Sequence, residues 1–373
     1  MKILITGGAG FVGSHLCVGL ADRHPSWEIT AMDNLHRYGM HINLERLQSA
    51  GVRFVHGDVR VASDWAKLRS DTGLILDCAA EPSVLSGTSS QNPAYCVETN
   101  LLGTFHCLEF ARRCGADLFL ISTSRVYPIH HLESLSLIEN ETRFDLPESL
   151  IAEGISFQGI NEDFPLQGSR SLYGATKLAS ELLLTEYQAA YGLRAVVDRC
   201  SAITGPGQMG RVEQGVFALW VAAHYFGQRL SYGGYGGYGK QVRDFLHIYD
   251  FVDLVDYQIA CFQQIAGKTF NVGGGRSNSI SLCELTQICQ TATQKTVRIS
   301  TEVKTRPNDV CWYISDTRRA TEECSWFPVR TIEDMASDIL KWLSEDKQRL
   351  SRLFDFGCSA IGESHQDVDL PPV

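Results

Sequence analysis

Short apolar runs alternate with longer amphipathic segments along the first 200 residues of the chain. The apolar runs predict strands at 2–6, 28–33, 52–58, 74–80, 117–123 and 194–201. Between two of them, the segment 93–114 carries Val97, Leu101, Phe105 and Leu108 at steps of four, four and three residues, which places them on one helix face. Such alternation is typical of a parallel sheet with helices on both faces. We therefore expect an α/β protein with a doubly wound, Rossmann-type sheet.

Three regions interrupt this regular pattern. Residues 128–165 form a long connection after the fifth predicted strand, and connections of that length are commonly functional or disordered. The tract SYGGYGGYGK at 231–240 predicts a flexible turn between strands, and the polar, aperiodic tail 355–373 predicts disorder. We expect one domain over 1–200 that contains the insertion 128–165, and a smaller substrate-binding domain over 201–350 interleaved with it.

Composition narrows the possible partners. A formal charge of -10 and a pI of about 5.6 argue against nucleic acid or an anionic membrane, because both require clustered basic residues. No apolar run reaches the roughly 18 residues that a membrane helix needs. The 12 cysteines contain no C-x-x-C pair, which indicates free thiols in a reducing cytoplasm. The histidines lack metal-ligand spacing, so we expect no metal site.

A glycine-rich turn follows the first predicted strand. In ITGGAGFVGSHL, Gly7, Gly10 and Gly13 form a G-x-x-G-x-x-G pattern between the strand and a helical run. Such a turn lets the backbone approach a pyrophosphate, whose charge then lies at the positive end of the following helix. The position predicts a dinucleotide site, with Phe11 and Val12 among its contacts.

Two acidic residues close the second and third predicted strands. Asp33, 20 residues after Gly13, can accept hydrogen bonds from the adenosine ribose hydroxyls and would repel the 2′-phosphate of NADP, so the predicted cofactor is NAD. The alternative for Asp33 is a turn residue before Asn34. Asp58, in HGDVR, can bond to the adenine or can cap the strand end.

A second motif lies at the start of the helical run SLYGATKLASELLLTEY. Tyr173 and Lys177 are four residues apart, so both side chains point the same way. An ammonium beside a phenol favours phenolate and lowers the phenol's pKa, which makes the tyrosine a usable base near neutral pH. We expect the core face of this helix to contain Leu178, Leu182, Leu183 and Tyr187.

These motifs together resemble the extended short-chain dehydrogenase/reductase family, the NAD-dependent epimerases and dehydratases, over roughly residues 1–345. The matching features are the glycine pattern, Asp33, HGDVR, ETNLLGT, ISTSRVY, the Tyr173–Lys177 pair, VRDFLHIYDFVD and TRPNDV. Within the family, GPGQMGRVEQGVFALW at 205–220 and GKQVRDFLH at 239–247 are most similar to the CDP-paratose 2-epimerase group.

The resemblance implies a reaction and a set of site residues. Tyr173 would take a proton from a sugar hydroxyl while hydride passes to NAD, and return of the hydride to the other face of a ketose would invert the carbon. Thr123 would bond the reacting oxygen, and Lys177 would serve both the phenol and the nicotinamide ribose. The resemblance also implies further contacts. These are Asn34, Val59, Ala79, Ala80 and Asn100 for NAD, Arg243 and Arg306 for the substrate diphosphate, and Ser124 for the sugar. For Asn100, support of the active site from its helix and a plain helix-packing role are both open. A homodimer through the helices at 93–114 and 173–191 is implied too.

The chain departs from the family pattern in several places. Related dehydratases carry an Asp-Glu pair directly after the threonine, where this chain has Ser124 and Arg125. Ala202 stands where the family commonly has a substrate-contacting asparagine. Glu81, in AAEPSV, either contacts substrate or only begins a loop. The long 128–165 segment can be a lid, a wall of the substrate site or an oligomer contact.

Three functions remain open on these grounds. The first is an NAD-dependent nucleotide-sugar epimerase acting at C2 or C4. The second is another enzyme of the same fold, namely a dehydratase, decarboxylase or reductase, and Ser124–Arg125 argue against the dehydratase. The third is a non-catalytic NAD-sensing protein, which would have no need of Thr123, Tyr173 and Lys177 together.

Overall fold

The structure is a computed structural model that describes residues 1–37, 39–87, 92–210 and 214–354. The predicted tail 355–373 lies outside the described residues. Seven parallel strands form a central sheet in the order β7-β6-β5-β4-β1-β2-β3. The strands are β1 (Lys2–Thr6), β2 (Glu28–Asp33), β3 (Arg53–His56), β4 (Leu74–Asp77), β5 (Asp117–Thr123), β6 (Ala195–Cys200) and β7 (Thr269–Val272).

Residues in successive positions of the strands enter different hydrophobic cores. Ile3 and Ile5 of β1 belong to one buried cluster, and Leu4 between them belongs to another. Because side chains alternate across a strand, both faces of the sheet are covered, as expected for a parallel sheet. The predicted doubly wound α/β fold is confirmed. The strand order reverses between β1 and β4, which is the position where ligands bind in sheets of this kind.

Nine helices of at least seven residues accompany the sheets in the described part of the chain. They are α1 (Phe11–Arg23), α2 (Asn43–Ser49), α3 (Gly103–Cys114), α4 (Leu172–Tyr191), α5 (Val216–Phe226), α6 (Ile248–Ala260), α7 (Leu282–Thr293), α8 (Arg318–Cys324) and α9 (Ile332–Glu345). Shorter helices span Ala62–Trp65, Pro93–Val97, Ile129–Glu133, Phe262–Ile265 and Lys347–Leu350. Single turns of 3₁₀-helix span Met40–Ile42, Ser124–Val126, Tyr235–Gly237 and Arg276–Asn278. None of the helices in the described ranges combines the length and apolar character that crossing a membrane requires.

Smaller sheets lie beyond β6. The strand Val242–His247 pairs with Ala202–Thr204, Ser279–Ser281 and Trp312–Tyr313, and Leu230–Gly233 pairs with Ile299–Glu302. The tract 231–240 contributes the end of one strand and a turn that leads into the next, as predicted. The division into domains at residue 200 stays a prediction.

The insertion 128–165 is folded into small sheets. Ile138–Glu139 pairs with Phe144–Asp145, and Ile151–Ala152, Ile155–Ser156 and Gly159–Ile160 form a three-stranded antiparallel sheet. Its apolar side chains share a hydrophobic core with the later part of the chain. This core comprises Val126, Tyr127, Leu132, Leu146, Ile155, Ile160, Phe164, Val242, Val310, Trp312, Tyr313 and Ile314. The Arg276 guanidinium lies 3.4 Å above the Phe157 ring and pairs with Asp145 at 2.7 Å. The insertion therefore supports the later strands.

Two predictions about helices need correction. The segment 93–114 is not one regular helix, because a wider π-helical turn, Glu98–Leu102, separates Pro93–Val97 from α3. The predicted core face of α4 is wrong in part, since Leu182 is 62% exposed. The buried face of α4 instead carries Gly174, Thr176, Lys177, Ser180, Glu181 and Leu184, because it packs against polar groups around the π-helical turn and β5.

Candidate active site

A cavity of about 800 Å³ opens at the carboxyl ends of the central strands and extends toward the smaller sheets. Most of the predicted site residues line it. They are Gly7, Gly10, Phe11, Val12, Gly13, Asp33, Asn34, Val59, Ala79, Ala80, Glu81, Thr123, Ser124, Tyr173, Arg243 and Arg306. Asp58, Asn100 and Lys177 do not line it. Sequence positions far apart therefore meet at the edge of the sheet where a dinucleotide is expected.

The glycine turn is shaped by its lack of side chains. Gly7 has φ 60°, a conformation that favours glycine, and its carbonyl oxygen accepts a hydrogen bond from Gly10 N at 2.9 Å. A Cβ at Gly13 would lie 2.2 Å from that same oxygen. The turn is closed tightly, so a pyrophosphate can approach the start of α1.

Asp33 ends β2 with its carboxylate in the cavity wall. One oxygen accepts from Ala9 N at 3.1 Å and the other from Leu35 N at 2.8 Å, which fixes the side chain beside the glycine turn. Burial raises the pKa of Asp33, and the backbone hydrogen bonds oppose this. Asp33 lines the cavity, as a ribose acceptor requires, and its hydrogen bond from Leu35 N also makes it a turn residue, so both alternatives are compatible with its placement.

Asp58 is held by protein groups instead of facing the cavity. Its carboxylate pairs with Arg60 at 2.8 Å and accepts from Asn34 Nδ2 at 3.0 Å. Burial raises the pKa of Asp58, but hydrogen bonds from Arg60 and Asn34 outweigh it and bring the pKa to about 2. The arrangement places Asn34 and Val59 at the cavity and Asp58 behind them, so the predicted adenine contact through Asp58 gains no support.

A buried polar network supports the wall next to the glycine turn. Thr6 Oγ1 donates to Asp77 at 2.6 Å, and Thr104 Oγ1 donates to the other Asp77 oxygen at 3.0 Å. The same Thr6 oxygen accepts from Cys78 N and Ala79 N, each at 3.1 Å. This network fixes the backbone that carries Ala79 into the cavity. The sequence does not reveal it, because its hydrogen bonds join residues up to 73 positions apart that belong to no local motif.

Thr123 and Tyr173 meet at the end of β5. The side chain of Thr123 accepts from Arg125 N at 3.2 Å, and its hydroxyl lowers the pKa of the Tyr173 phenol. Helix α4 begins with Ser171 as its N-cap, which accepts from Gly174 N at 3.2 Å. A Cβ at Gly174 would lie 2.1 Å from the Arg125 carbonyl oxygen, so only glycine allows the helix start to approach the end of β5 this closely.

The electrostatics of Tyr173 differ from the expectation. Burial raises the pKa of Tyr173 to about 12, and the Thr123 hydrogen bond and the Arg125 charge oppose the rise. Lys177 is 1% exposed and lies near the thiols of Cys78, Cys107 and Cys200, whose pKa values its charge lowers against a larger effect of burial. The pKa of Tyr173 is therefore raised on balance, whereas a lowered pKa was expected.

Asn100 links the two sides of the candidate catalytic region. Its side chain accepts from Glu81 N at 2.7 Å and donates to Glu81 O at 3.1 Å. It also donates to Thr176 Oγ1 at 3.1 Å, directly before Lys177. Because Asn100 is fully buried and bonded to protein groups, its place in the structure is that of a support for Glu81 and α4.

Cationic side chains line the part of the cavity next to the smaller sheets. Arg243 pairs with Asp309 at 2.8 Å, and Arg306 belongs to the same TRPND turn as Asp309. Arg125 also lines the cavity, and its guanidinium donates to Asn308 O at 3.2 Å. The sequence reasoning noted Arg125 only as a missing acid, although a cationic residue two positions after Thr123 was the available signal.

The insertion contributes to this end of the cavity through Ile129 and Leu132, which lie in its wall. Segment 128–165 was interpreted as a lid, a wall of the substrate site or an oligomer contact. The positions of Ile129 and Leu132 support the second interpretation. The rest of the insertion packs on the later strands as described above.

Comparisons with known proteins agree with this geometry. Residues 3–273 match the profile of the NAD dependent epimerase/dehydratase family. CDP-paratose 2-epimerase of Salmonella typhi is 32% identical over 355 residues, which cover 92% of this chain and 99% of that protein. dTDP-glucose 4,6-dehydratase of Mycobacterium tuberculosis is 31% identical over 250 residues, which cover 67% of this chain and 66% of that protein.

A solved structure shows the same fold over most of its length. UDP-glucose 4-epimerase of Thermus thermophilus in complex with NAD superposes with a TM-score of 0.74 at 25% identity, and the match covers 92% of this chain and 99% of that one. The family profile spans more than half of the sequence. The chain therefore belongs to the NAD dependent epimerase/dehydratase family, and its cofactor is NAD.

Proposed function

We propose that this protein is a nucleotide-sugar epimerase of the CDP-paratose 2-epimerase type. It inverts one hydroxyl-bearing carbon of the sugar by oxidation to a ketose and re-reduction, with no net redox change. The observation that carries the proposal is that Thr123 and Tyr173 line the same cavity, with Ser124 and Arg125 after Thr123 instead of two carboxylates. The 32% identity to the Salmonella typhi enzyme over 92% of the chain favours this activity.

The cofactor fits the glycine turn. The tight turn at Gly7, which the absence of a side chain at Gly13 allows, and Asp33 in the cavity wall fit a pyrophosphate and an adenosine ribose without a 2′-phosphate. Bound NAD supplies a nicotinamide that accepts a hydride and returns it. Glu81, held by Asn100, lies in the wall beyond Ala80, where it faces either the cofactor or the sugar.

The chain's own residues divide the remaining work. Tyr173 takes the proton of the sugar hydroxyl and later gives it back, and Thr123 holds the reacting oxygen beside the phenol. Lys177, one helical turn along α4, supplies a buried positive charge on the same side. Arg243 and Arg306 bind the substrate diphosphate, since guanidinium groups match phosphate oxygens in pairs.

Elimination of water is the main competing reaction, because dehydratases are also similar to this chain. Eliminating enzymes of the family need a general acid and a base next to the threonine. Ser124 and Arg125 occupy these two positions, and neither is a carboxylic acid. Besides hydride transfer to NAD and back, inversion needs only the proton transfer that Tyr173 and Thr123 would provide.

The test uses the purified protein with a panel of nucleotide sugars. Incubation of CDP-, UDP- and dTDP-sugars, followed by proton NMR of the product, identifies both the base and the inverted carbon. An epimer of equal mass, without net formation of NADH, supports the proposal. A product lighter by one water, or no product from any sugar together with no transient NADH absorbance, would contradict it. The cytoplasmic location and the homodimer stay predictions.

A further inference from the structure

Arg125 lies beside the proposed base. It belongs to the 3₁₀ turn Ser124–Val126 directly after β5, and its side chain lines the cavity together with Thr123 and Tyr173. Its carbonyl oxygen packs against Gly174, the residue after Tyr173, as the 2.1 Å approach to a Cβ at that position shows. The backbone of Arg125 and the start of α4 therefore form one unit.

The groups around the Tyr173 phenol come from several elements. β5 contributes the Thr123 hydroxyl, the following turn contributes Arg125, and β6 contributes the Cys200 thiol. The helix Pro93–Val97 contributes the Cys96 thiol, and Glu81 interacts electrostatically with that thiol. Lys177 lies on α4 itself.

These groups have opposite effects on the phenol. Burial raises the pKa of Tyr173 most, and the two thiols raise it further, whereas Thr123 and Arg125 lower it. Arg125 is thus a full positive charge that acts on the phenol from the wall of the same cavity. An arginine keeps its charge in a partly buried site better than other cationic side chains do.

The guanidinium is held in place from its far side. It donates to Asn308 O at 3.2 Å, and Asn308 has φ 62° while its own side chain donates to Val84 O at 2.9 Å. Burial and the nearby Arg243 lower the pKa of Arg125, and Asp309 raises it. The TRPND turn therefore holds the Arg125 guanidinium in the cavity wall that Arg306 of the same turn also lines.

We propose that Arg125 is a positioning residue that stabilises the phenolate form of Tyr173 and connects the proposed base to the substrate-binding turn. This inference rests on the proposed function, in which Tyr173 is the base. In this chain the cationic Arg125 stands at a position where related dehydratases have a carboxylic acid. Arg125 therefore favours removal of a proton from the sugar hydroxyl by Tyr173. A dehydratase would instead need a proton donor at the position of Arg125.

The test measures the ionisation of Tyr173 directly. The ultraviolet band of tyrosinate is titrated in the NAD-loaded protein and in its Tyr173→Phe form, and the difference isolates this phenol among the 13 tyrosines. Each Arg125 variant is likewise prepared with Tyr173 and with Tyr173→Phe. The variants are the neutral Arg125→Met and the charged Arg125→Lys, and Arg125→Gln is a second neutral variant if Arg125→Met folds poorly. We expect the midpoint to rise by about one pH unit in the neutral variants, because an adjacent opposite charge is lost, and to return toward the original value in Arg125→Lys.

Turnover gives a second readout. A tyrosine base must be deprotonated, so activity rises as the pH rises through its pKa, and the acid limb of kcat should move to higher pH in Arg125→Met. Arg112→Met, which removes an exposed arginine of α3, serves as the control for overall charge and should leave both readouts unchanged. Equal midpoints in the original protein and the neutral variants, or an equal shift in Arg125→Lys, would overturn the inference. Because the titration needs no substrate, it separates this failure from a failure of the proposed epimerase activity.

Discussion

Gly174 lies against the carbonyl oxygen of Arg125, which would be 2.1 Å from a Cβ at that position. We expect Gly174→Ala to push α4 away from the end of β5 and to separate Tyr173 from Thr123. Overpacking of this kind costs about 1–3 kcal/mol of stability, and a displacement near 1 Å can reduce kcat by about 100-fold. Thermal unfolding and kcat measure the two effects. Gly73→Ala is the control, since its Cβ would have only an ordinary contact at 3.8 Å. An unchanged kcat in Gly174→Ala would show that this packing does not position the base.

Tyr173→Phe should remove the proposed base and leave the cofactor site intact. Loss of a general base lowers turnover by roughly 100- to 10,000-fold, whereas the glycine turn and Asp33 are untouched. Epimerase activity and the NAD content of the purified variant are measured together. Tyr257→Phe, at an exposed position of α6, is the matched control and should keep full activity. A variant at position 173 that retains more than about a tenth of the activity would exclude the tyrosine as base.

Asp33→Asn should weaken NAD binding and reduce the preference for NAD over NADP. The amide keeps one oxygen acceptor but loses the negative charge that repels a 2′-phosphate. We expect a loss of about tenfold or more in NAD affinity, which corresponds to about 1.4 kcal/mol. Binding of both dinucleotides is measured by calorimetry. Asp71→Asn on the surface is the control, and an unchanged preference at position 33 would contradict the ribose assignment.

Asp198 of β6 should make the stability of the fold depend on pH. Burial raises the pKa of Asp198 to about 7, although a hydrogen bond from Gln258 Nε2 at 2.8 Å opposes the rise. The folded protein therefore keeps the Asp198 proton up to about pH 7, whereas the unfolded chain loses it near pH 4. The contribution of this group to the free energy of unfolding is fully present below about pH 4, and it is lost as the pH rises to about 7.

Asp198→Asn should remove the loss of folding stability that ionisation of Asp198 causes. The variant should therefore be more stable than the original protein near pH 8. The second oxygen of Asp198 and Gln258 Oε1 both lack a hydrogen-bond partner among the described residues, and an asparagine amide can donate to the latter. The difference in the free energy of unfolding between the two proteins, measured by urea titration at pH 5 and pH 8, should grow with pH by about 1–4 kcal/mol, since each pKa unit is worth about 1.4 kcal/mol. A constant difference would place the pKa of Asp198 near its usual value.

Local patterns predicted the elements that carry the cofactor site. The strand 117–123 has the predicted bounds, and Gly7, Gly13 and Asp33 reach the cavity because motif spacing and strand ends determine their positions. The Thr6–Asp77–Thr104 network could not be predicted, because it depends on which strands are neighbours in the sheet. The sequence pattern does not give the order of the strands. The exposed Leu182 shows the same limit, because helical spacing cannot tell which side of α4 meets a polar surface.

The substrate side was predicted only by resemblance. Arg243 and Arg306 stand in no local pattern that distinguishes them from surface arginines, and only the TRPNDV and VRDFLH motifs of the family pointed to them. Arg125 was interpreted as an absent carboxylate, because its partner Asn308 is remote in sequence. Long-range contacts of this kind decide the chemistry of the cavity and leave no periodic signal.

The hydrogen bond between Arg125 and Asn308 joins residues 183 positions apart. During synthesis, the glycine turn, Asp33 and Thr123 leave the ribosome long before the TRPND turn does, and domains fold as their chains emerge. A nascent chain that ends before residue 300 can therefore form the cofactor half of the cavity while the substrate wall is still open. During synthesis, the hydrogen bond that holds Arg125 in the cavity wall can form only after residue 308 has left the ribosome.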